Sequence, residues 1–143
     1  MINRIVKSTV ALLATSLTVC LLMAQAKPAP SRATTLANGG KVYKQYCMAC
    51  HQADAGGVPH LNPPLIKTPF VLGDKKRLIQ IVIKGKKDPV EIDGDVYTNP
   101  MPAQVQLNDQ QIADVLSYVR NNFGNKASMV TLAEVKQIRA ATK

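Results

Sequence analysis

Cys47-Met48-Ala49-Cys50-His51 is the segment that most narrows what this chain can become. On a helical turn, two thiols three residues apart face the same side, and the next residue follows them round. Three ordinary uses of such thiols fit poorly. A thioredoxin-type redox pair needs a strand ahead of it in a βαβ unit, and no strand pattern precedes Cys47. A structural zinc site takes four ligands. Here only His60 could join Cys47, Cys50 and His51, and there is no second ligand pair. A plain disulfide is too cramped a role for so specific a pentapeptide. Cys-x-x-Cys-His is instead the attachment signature of haem c: the two thiols can reach the vinyl groups on one porphyrin edge, and His51 is carried under the ring, where it can bind iron.

The first residues have a different character. Arg4 and Lys7 give a positive start, Val10 to Ala24 is an uncharged and mostly apolar run, and Ala24-Gln25-Ala26 places small residues where a signal peptidase reads them. Residues 1–26 are therefore expected to be a secretory leader, and the mature chain to begin at Lys27. An uncleaved membrane anchor is the second choice. Ser8 to Ala26 is only 19 residues and includes several Ser and Thr, against the roughly 20 apolar residues a spanning helix needs. Lipidation at Cys20 is weaker still, because the apolar run continues past it.

Removing 26 of 143 residues leaves 117, enough for one modest core, with Cys47 and Cys50 the remaining cysteines. The pentapeptide together with an export signal says far more than the pentapeptide alone. Without Arg4 and Lys7 the 18 basic residues become 16 against 9 acidic ones, a net charge of +7, or +5 with two ionised haem propionates. A basic balance fits nucleic acid, an anionic membrane surface or an acidic protein partner. Export argues against nucleic acid, and so do the few aromatics: four Tyr, two Phe and no Trp cannot build a base-stacking platform.

Residues 27–37, rich in Pro, Ala, Ser and Thr, read as a flexible N-terminal tail ahead of a domain at 38–143. A helical stretch is expected from Lys41 to Ala49, with Val42 and Tyr46 on one face and Tyr43 beside them. Four Pro and three Gly in 52–73 forbid long regular structure. Asp74 is a natural N-cap for a short helix ending at Gly85, with Leu78, Ile81 and Val82 inward. Asp93-Gly94 between Val90-Glu91-Ile92 and Asp95-Val96-Tyr97 signals a two-residue hairpin. The same acids resemble a fragment of a calcium loop, but its later ligands are missing. Asn108 and Gln111 form a capping box for a helix with Ile112, Val115, Leu116 and Val119 inward, ended by Gly124. Thr131 and Glu134 cap a last helix running to about Ala140.

Haem iron needs a sixth ligand or an open site. Met48 lies inside the attachment motif, on the wrong side to reach the distal face. Met129 lies beyond the main C-terminal helix. Met101 stands between Pro100 and Pro102, 50 residues after His51, in an extended loop that flanking prolines stiffen. A lone Met is more often core filler, yet this setting favours a ligand. His60 follows His51 by only nine residues and would have to wrap round the ring edge.

At these residues the chain resembles the class I (monohaem) c-type cytochromes over roughly Gly39 to Asn125. The likeness lies in Gly-Gly-Lys-Val-Tyr-Lys-Gln-Tyr-Cys-Met-Ala-Cys-His, Gly57-Val58-Pro59, Pro63-Pro64-Leu65, Asn99-Pro100-Met101-Pro102 and Leu107-Asn108-Asp109-Gln110-Gln111 leading to Leu116-Ser117-Tyr118-Val119-Arg120. More narrowly, it is similar to bacterial cytochromes and cytochrome subunits that accept electrons from periplasmic dehydrogenases of alcohols and sugars. The resemblance implies an all-α, cytochrome c-like fold of four to five helices around one covalent haem, with a small hairpin-like loop. It implies that the terminal helices cross near Gly40, Tyr43 and Tyr118. It also implies His51 as proximal ligand, Met101 as distal ligand, and the Pro59 carbonyl as acceptor of the His51 Nδ1 proton. One departure is visible: Phe123 stands where family members often carry Trp.

The expected function follows. A His/Met pair saturates the iron, keeps it low-spin and raises its potential. Leu65, Val71, Leu78, Leu107 and Leu116 are expected to hold water off the metal. Lys75-Lys76-Arg77 with Lys84, Lys86 and Lys87 are expected to steer an acidic partner, although each alone reads as a solvated side chain. The chain is read as a periplasmic single-electron carrier, not an enzyme, between a dehydrogenase and an oxidase or other respiratory acceptor. Membrane contact would come only through partners or an uncleaved leader. The rivals are a relay subunit fixed in a larger complex and a haem enzyme or gas binder with an open sixth site.

Overall fold

Asn108 starts the longest helix among the described residues. Its side chain accepts from the Gln111 N–H while the Gln111 side chain accepts from the Asn108 N–H, at 2.9 and 3.0 Å, so two donors left over at the helix start are satisfied. The structure, a computed structural model, describes residues 30–142. The leader read at 1–26 and the opening of the tail at 27–29 lie outside them. In chain order the described elements are α1 (Arg32–Val42), a π-helical turn (Tyr43–Cys47), α2 (Met48–His51), α3 (Pro69–Leu72), α4 (Lys75–Lys84), β1 (Val90–Ile92), β2 (Asp95–Tyr97), α5 (Asp109–Asn121) and α6 (Leu132–Ala140). Among the described residues the chain is mostly helical, with one two-stranded antiparallel sheet, the architecture that the resemblance implied. Among the described residues no helix is long and apolar enough to cross a membrane.

Helix α1 crosses α5 at close range. Gly39 is buried in this crossing, and a Cβ there would stand 2.1 Å from the Asp114 carbonyl oxygen and 2.6 Å from Tyr118 Cβ. Gly40 faces the Tyr118 ring less tightly, so Gly39 is the nearer of the two glycines. Tyr43, Tyr118 and Phe123 meet beside it, with ring centroids 5.2–5.7 Å apart, within the range of favourable aromatic pairs. Phe123 thus packs against both tyrosines.

The tail expected at 27–37 is corrected from Arg32 onward. Helix α1 begins there, and the Ser31 hydroxyl accepts from the Thr34 N–H as its N-cap. Thr35 and Gly39 are buried on its face. The helix is held by close packing of small residues, which leaves no apolar periodicity to read. Its hydrogen-bonding then widens into the π turn, where the Met48 N–H reaches back to the Tyr43 carbonyl. A π turn inserts one extra residue into a helical path.

The capping signals at Asp74 and Thr131 match their helices. Ile79 is more deeply buried on α4 than the expected Ile81. The hairpin pairs Val90 with Tyr97 and Ile92 with Asp95, with Asp93 and Gly94 both at positive φ as a two-residue turn of this kind requires. Helix α5 stops at Asn121, before the expected Gly124. Ile112, Val115, Leu116, Val119, Val71, Ile79 and Val135 make up much of the core.

Arg120 is only 3 % exposed. Its guanidinium donates to the carbonyls of Val71, Gly73 and Ser128 and to the Ser128 hydroxyl. Burial lowers its pKa, though the group stays charged. It joins α5 to the end of α3 and to the loop before α6. Replacing it with Met keeps most of the apolar volume but strands those carbonyls. We expect a loss of about 2–4 kcal/mol in chemical denaturation. Lys should recover only part of this, because one ammonium cannot match the spread of the guanidinium.

Candidate functional site

The π turn and α2 bring Cys47, Cys50 and His51 to one apolar cavity. Gln52, at φ 65°, ends this helical run, and its carbonyl accepts from the Tyr43 hydroxyl at 2.7 Å. The motif is therefore tied to the α1–α5 crossing. Burial, and then the neighbouring Cys50, push the Cys47 thiol up to about 11. Among the described residues no group of three or more His, Cys, Asp or Glu is arranged to hold a metal ion by itself.

His51 Nδ1 lies 2.9 Å from the Pro63 carbonyl oxygen. A carbonyl only accepts, so Nδ1 carries the proton and Nε2 keeps its lone pair. Burial lowers the His51 pKa, which favours the neutral ring. The carbonyl expected in this role was that of Pro59, and the structure corrects it. Pro59 lies in the turn closed by Val58 N–H to the Asn62 carbonyl and Asn62 N–H to the Val58 carbonyl. That turn leaves Pro59 exposed and presents Pro63 to the histidine. Gly57 backs the arrangement at φ 71°: a Cβ there would stand 2.8 Å from the Pro63 carbonyl oxygen.

Met101 lines the same cavity. So do Leu65, Val71, Leu78, Leu107 and Leu116, all five of the expected apolar shell, together with Tyr46, Phe70, Val82, Ile92, Tyr97 and Val119. Met48, Met129 and His60 are not among the lining residues. Met48 and His60 are exposed, and the Met129 sulfur accepts from Asn121 Nδ2 at 3.4 Å. Asn125 was not singled out from the sequence. It is 3 % exposed and holds the loop after His51 to α5, accepting from the Lys67 N–H and donating to the Leu65 and Val119 carbonyls. Its partners lie as far as 60 residues away in the chain, so no local pattern announces it.

The basic residues divide. Lys75 pairs with Glu134, Lys86 pairs with Asp88 at 3.5 Å, and Arg77 lies 4.0 Å over the Phe70 ring. Lys76, Lys84 and Lys87 are exposed.

Two thiols, a neutral imidazole with a free Nε2 and an apolar cavity suit a covalently held porphyrin. The family described as Cytochrome c matches residues 36–123. The chain belongs to the cytochrome c family. This cytochrome carries covalently bound haem c with its iron, and it is an electron-transfer protein rather than an enzyme. It is 32% identical over 113 residues to cytochrome c-552 of Thermus thermophilus, covering 73% of this chain and 86% of that one. It is 33% identical over 126 residues to the cytochrome c subunit of the quinone alcohol dehydrogenase of Gluconacetobacter polyoxogenes, covering 77% and 25%. It is 37% identical over 105 residues to the gluconate 2-dehydrogenase cytochrome c subunit of Pantoea cypripedii, covering 71% and 24%. The cytochrome thus spans about a quarter of each of those two subunits. Helix α6 lies beyond the family match and packs on α4 and α5 through Val135, the Lys75–Glu134 pair and the Arg139–Asp109 pair.

Proposed function

We propose that Cys47 and Cys50 hold haem c as thioethers, that His51 and Met101 are its iron ligands, and that the protein is a periplasmic single-electron carrier. The observation that carries this reading is the shared cavity: both thiols, His51 and Met101 line it, while Met48, Met129 and His60 do not. When bound, haem c supplies a reversible one-electron couple, and a thioether ligand raises its potential. The chain's own part is to orient and to exclude water. The Pro63 carbonyl fixes the His51 ring and makes it a better donor. The apolar lining lowers the local dielectric and keeps the sixth position from solvent.

The donor on this reading is a dehydrogenase, in keeping with the two subunits named above, and the acceptor is an oxidase or another respiratory protein. Lys76, Lys84 and Lys87 support docking to an acidic face. A redox titration followed in the visible should show one one-electron wave with low-spin spectra in both states. A high-spin ferric spectrum would overturn the His/Met assignment. Reduction by the dehydrogenase should slow as salt rises from ~0.01 to ~0.15 M, as the Debye length falls from ~30 to ~8 Å. A rate indifferent to salt would remove the acidic-partner reading. The dehydrogenase-subunit relatives favour a second reading, a relay fixed in a complex; retention on membranes through a high-salt wash would select it.

Export rests on residues 1–26. The mature protein is expected to begin Lys27-Pro28-Ala29, and an intact mass that retains the leader would favour an anchor.

A further inference from the structure

We propose that Gly85 is a positioning residue for the Met101 thioether, an inference that rests on Met101 being the sixth ligand. Helix α4 ends at Lys84, and the chain must then turn so that it runs alongside the Met101 loop. Lys86 N–H donates to the Met101 carbonyl and Met101 N–H donates to the Lys86 carbonyl, both at 2.8 Å. Gln104 N–H donates to the Val82 carbonyl at 2.9 Å. Pro100 and Pro102 have no N–H, so Met101 supplies the single backbone donor within 100–102, and it is spent on Lys86.

Gly85 makes this approach possible in two ways. Its backbone sits at φ 75°, ψ −177°, a strained region for any residue with a side chain, which Gln52 also occupies at φ 65°, ψ 167°. A Cβ would also stand 2.5 Å from the Met101 carbonyl oxygen, 2.8 Å from the Ala103 nitrogen and 3.0 Å from the Pro102 carbonyl carbon. All three are backbone atoms, which cannot rotate out of the way. Ordinary contact begins at 3.4 Å, so the Met101 carbonyl would have to retreat by about 0.9 Å. Ligand constellations tolerate roughly 0.5 Å before they fail. The last turn of α4 is therefore the surface against which the ligand loop is set.

The test uses the full-length, haem-loaded protein. Three quantities are read: the long-wavelength charge-transfer band of thioether-bound ferric haem, the reduction potential, and the affinity for added imidazole. Gly85→Ala should keep its haem stain, lose most of the band, move its potential toward that of Met101→Ala, and bind imidazole about tenfold more tightly, because a competing internal ligand has been weakened. Gly94 also has a positive φ, but nothing lies within 4 Å of its Cβ position. Gly94→Ala should leave all three quantities unchanged.

A Gly85→Ala protein with the wild-type band and potential overturns the proposal while Met101 still stands as the ligand. If Met101→Ala itself keeps the band, the ligand assignment has failed and the proposal falls with it. Hydrogen exchange on the wild-type protein guards against a variant that does not fold. The Lys86 and Met101 amides should exchange about 100-fold more slowly than those of Val105 and Gln106 in the following turn. Equal rates would overturn the clamp.

Discussion

Replacing Cys47 and Cys50 together with alanine should yield a protein with no covalent haem, seen as complete loss of haem stain on a denaturing gel. The loss should be all-or-none, because a thioether cannot form without a sulfur. The effect should reach the fold. The cavity is walled by Val71, Leu78, Leu107, Val115, Leu116 and Val119, and without its porphyrin these side chains face either water or an empty space. At about 25 cal/mol per Å² of apolar surface, leaving such a lining uncovered consumes much of the stability of a domain this small. The double variant should therefore also lose helical circular dichroism and become sensitive to protease. Persistent haem stain would overturn the attachment reading.

The second large effect is expected from Met101→Ala. Both thioethers and His51 remain, so the haem stain should persist. The charge-transfer band should vanish and the ferric protein become high-spin, or take up water or a lysine. Axial ligands move haem potentials over ~0.8 V, and loss of the thioether should lower this one measurably, since its preference for ferrous iron is gone. Imidazole should bind and restore a low-spin spectrum. Met129→Ala should do none of this, because its sulfur faces Asn121 and not the cavity. If Met101→Ala leaves spectrum and potential unchanged while His60→Ala alters both, the ligand pair is bis-histidine and the high potential is withdrawn.

The parts legible in the sequence share one property: their signal is local. Asp74, Asn108 and Thr131 cap helices whose first turns follow directly, and Asp93-Gly94 pairs strands that flank it. The haem-binding pentapeptide is local too. Signals failed where the determining partner is distant. Helix α1 has Thr34, Thr35, Asn38, Gly39 and Gly40 where good helix formers would announce it, and it forms because small residues let it approach α5 closely. Pro59 and Pro63 are indistinguishable as neighbours of His51 until the Val58–Asn62 turn is known. Arg120 and Asn125 bond to backbone carbonyls from other segments, which no side-chain spacing encodes.

The π turn between α1 and α2 sets the angular position of everything that follows it. Each residue of an α-helix advances the chain by about 100°, and the surplus residue within Tyr43–Cys47 shifts the phase of the motif by about that amount relative to the face α1 presents to α5. Tyr43 can thus be buried in the crossing while Cys47, Cys50 and His51 reach the cavity. One helical path serves two surfaces that a regular helix of the same length would have aimed elsewhere. In this chain the aim of the attachment site is a matter of residue count as much as of residue identity.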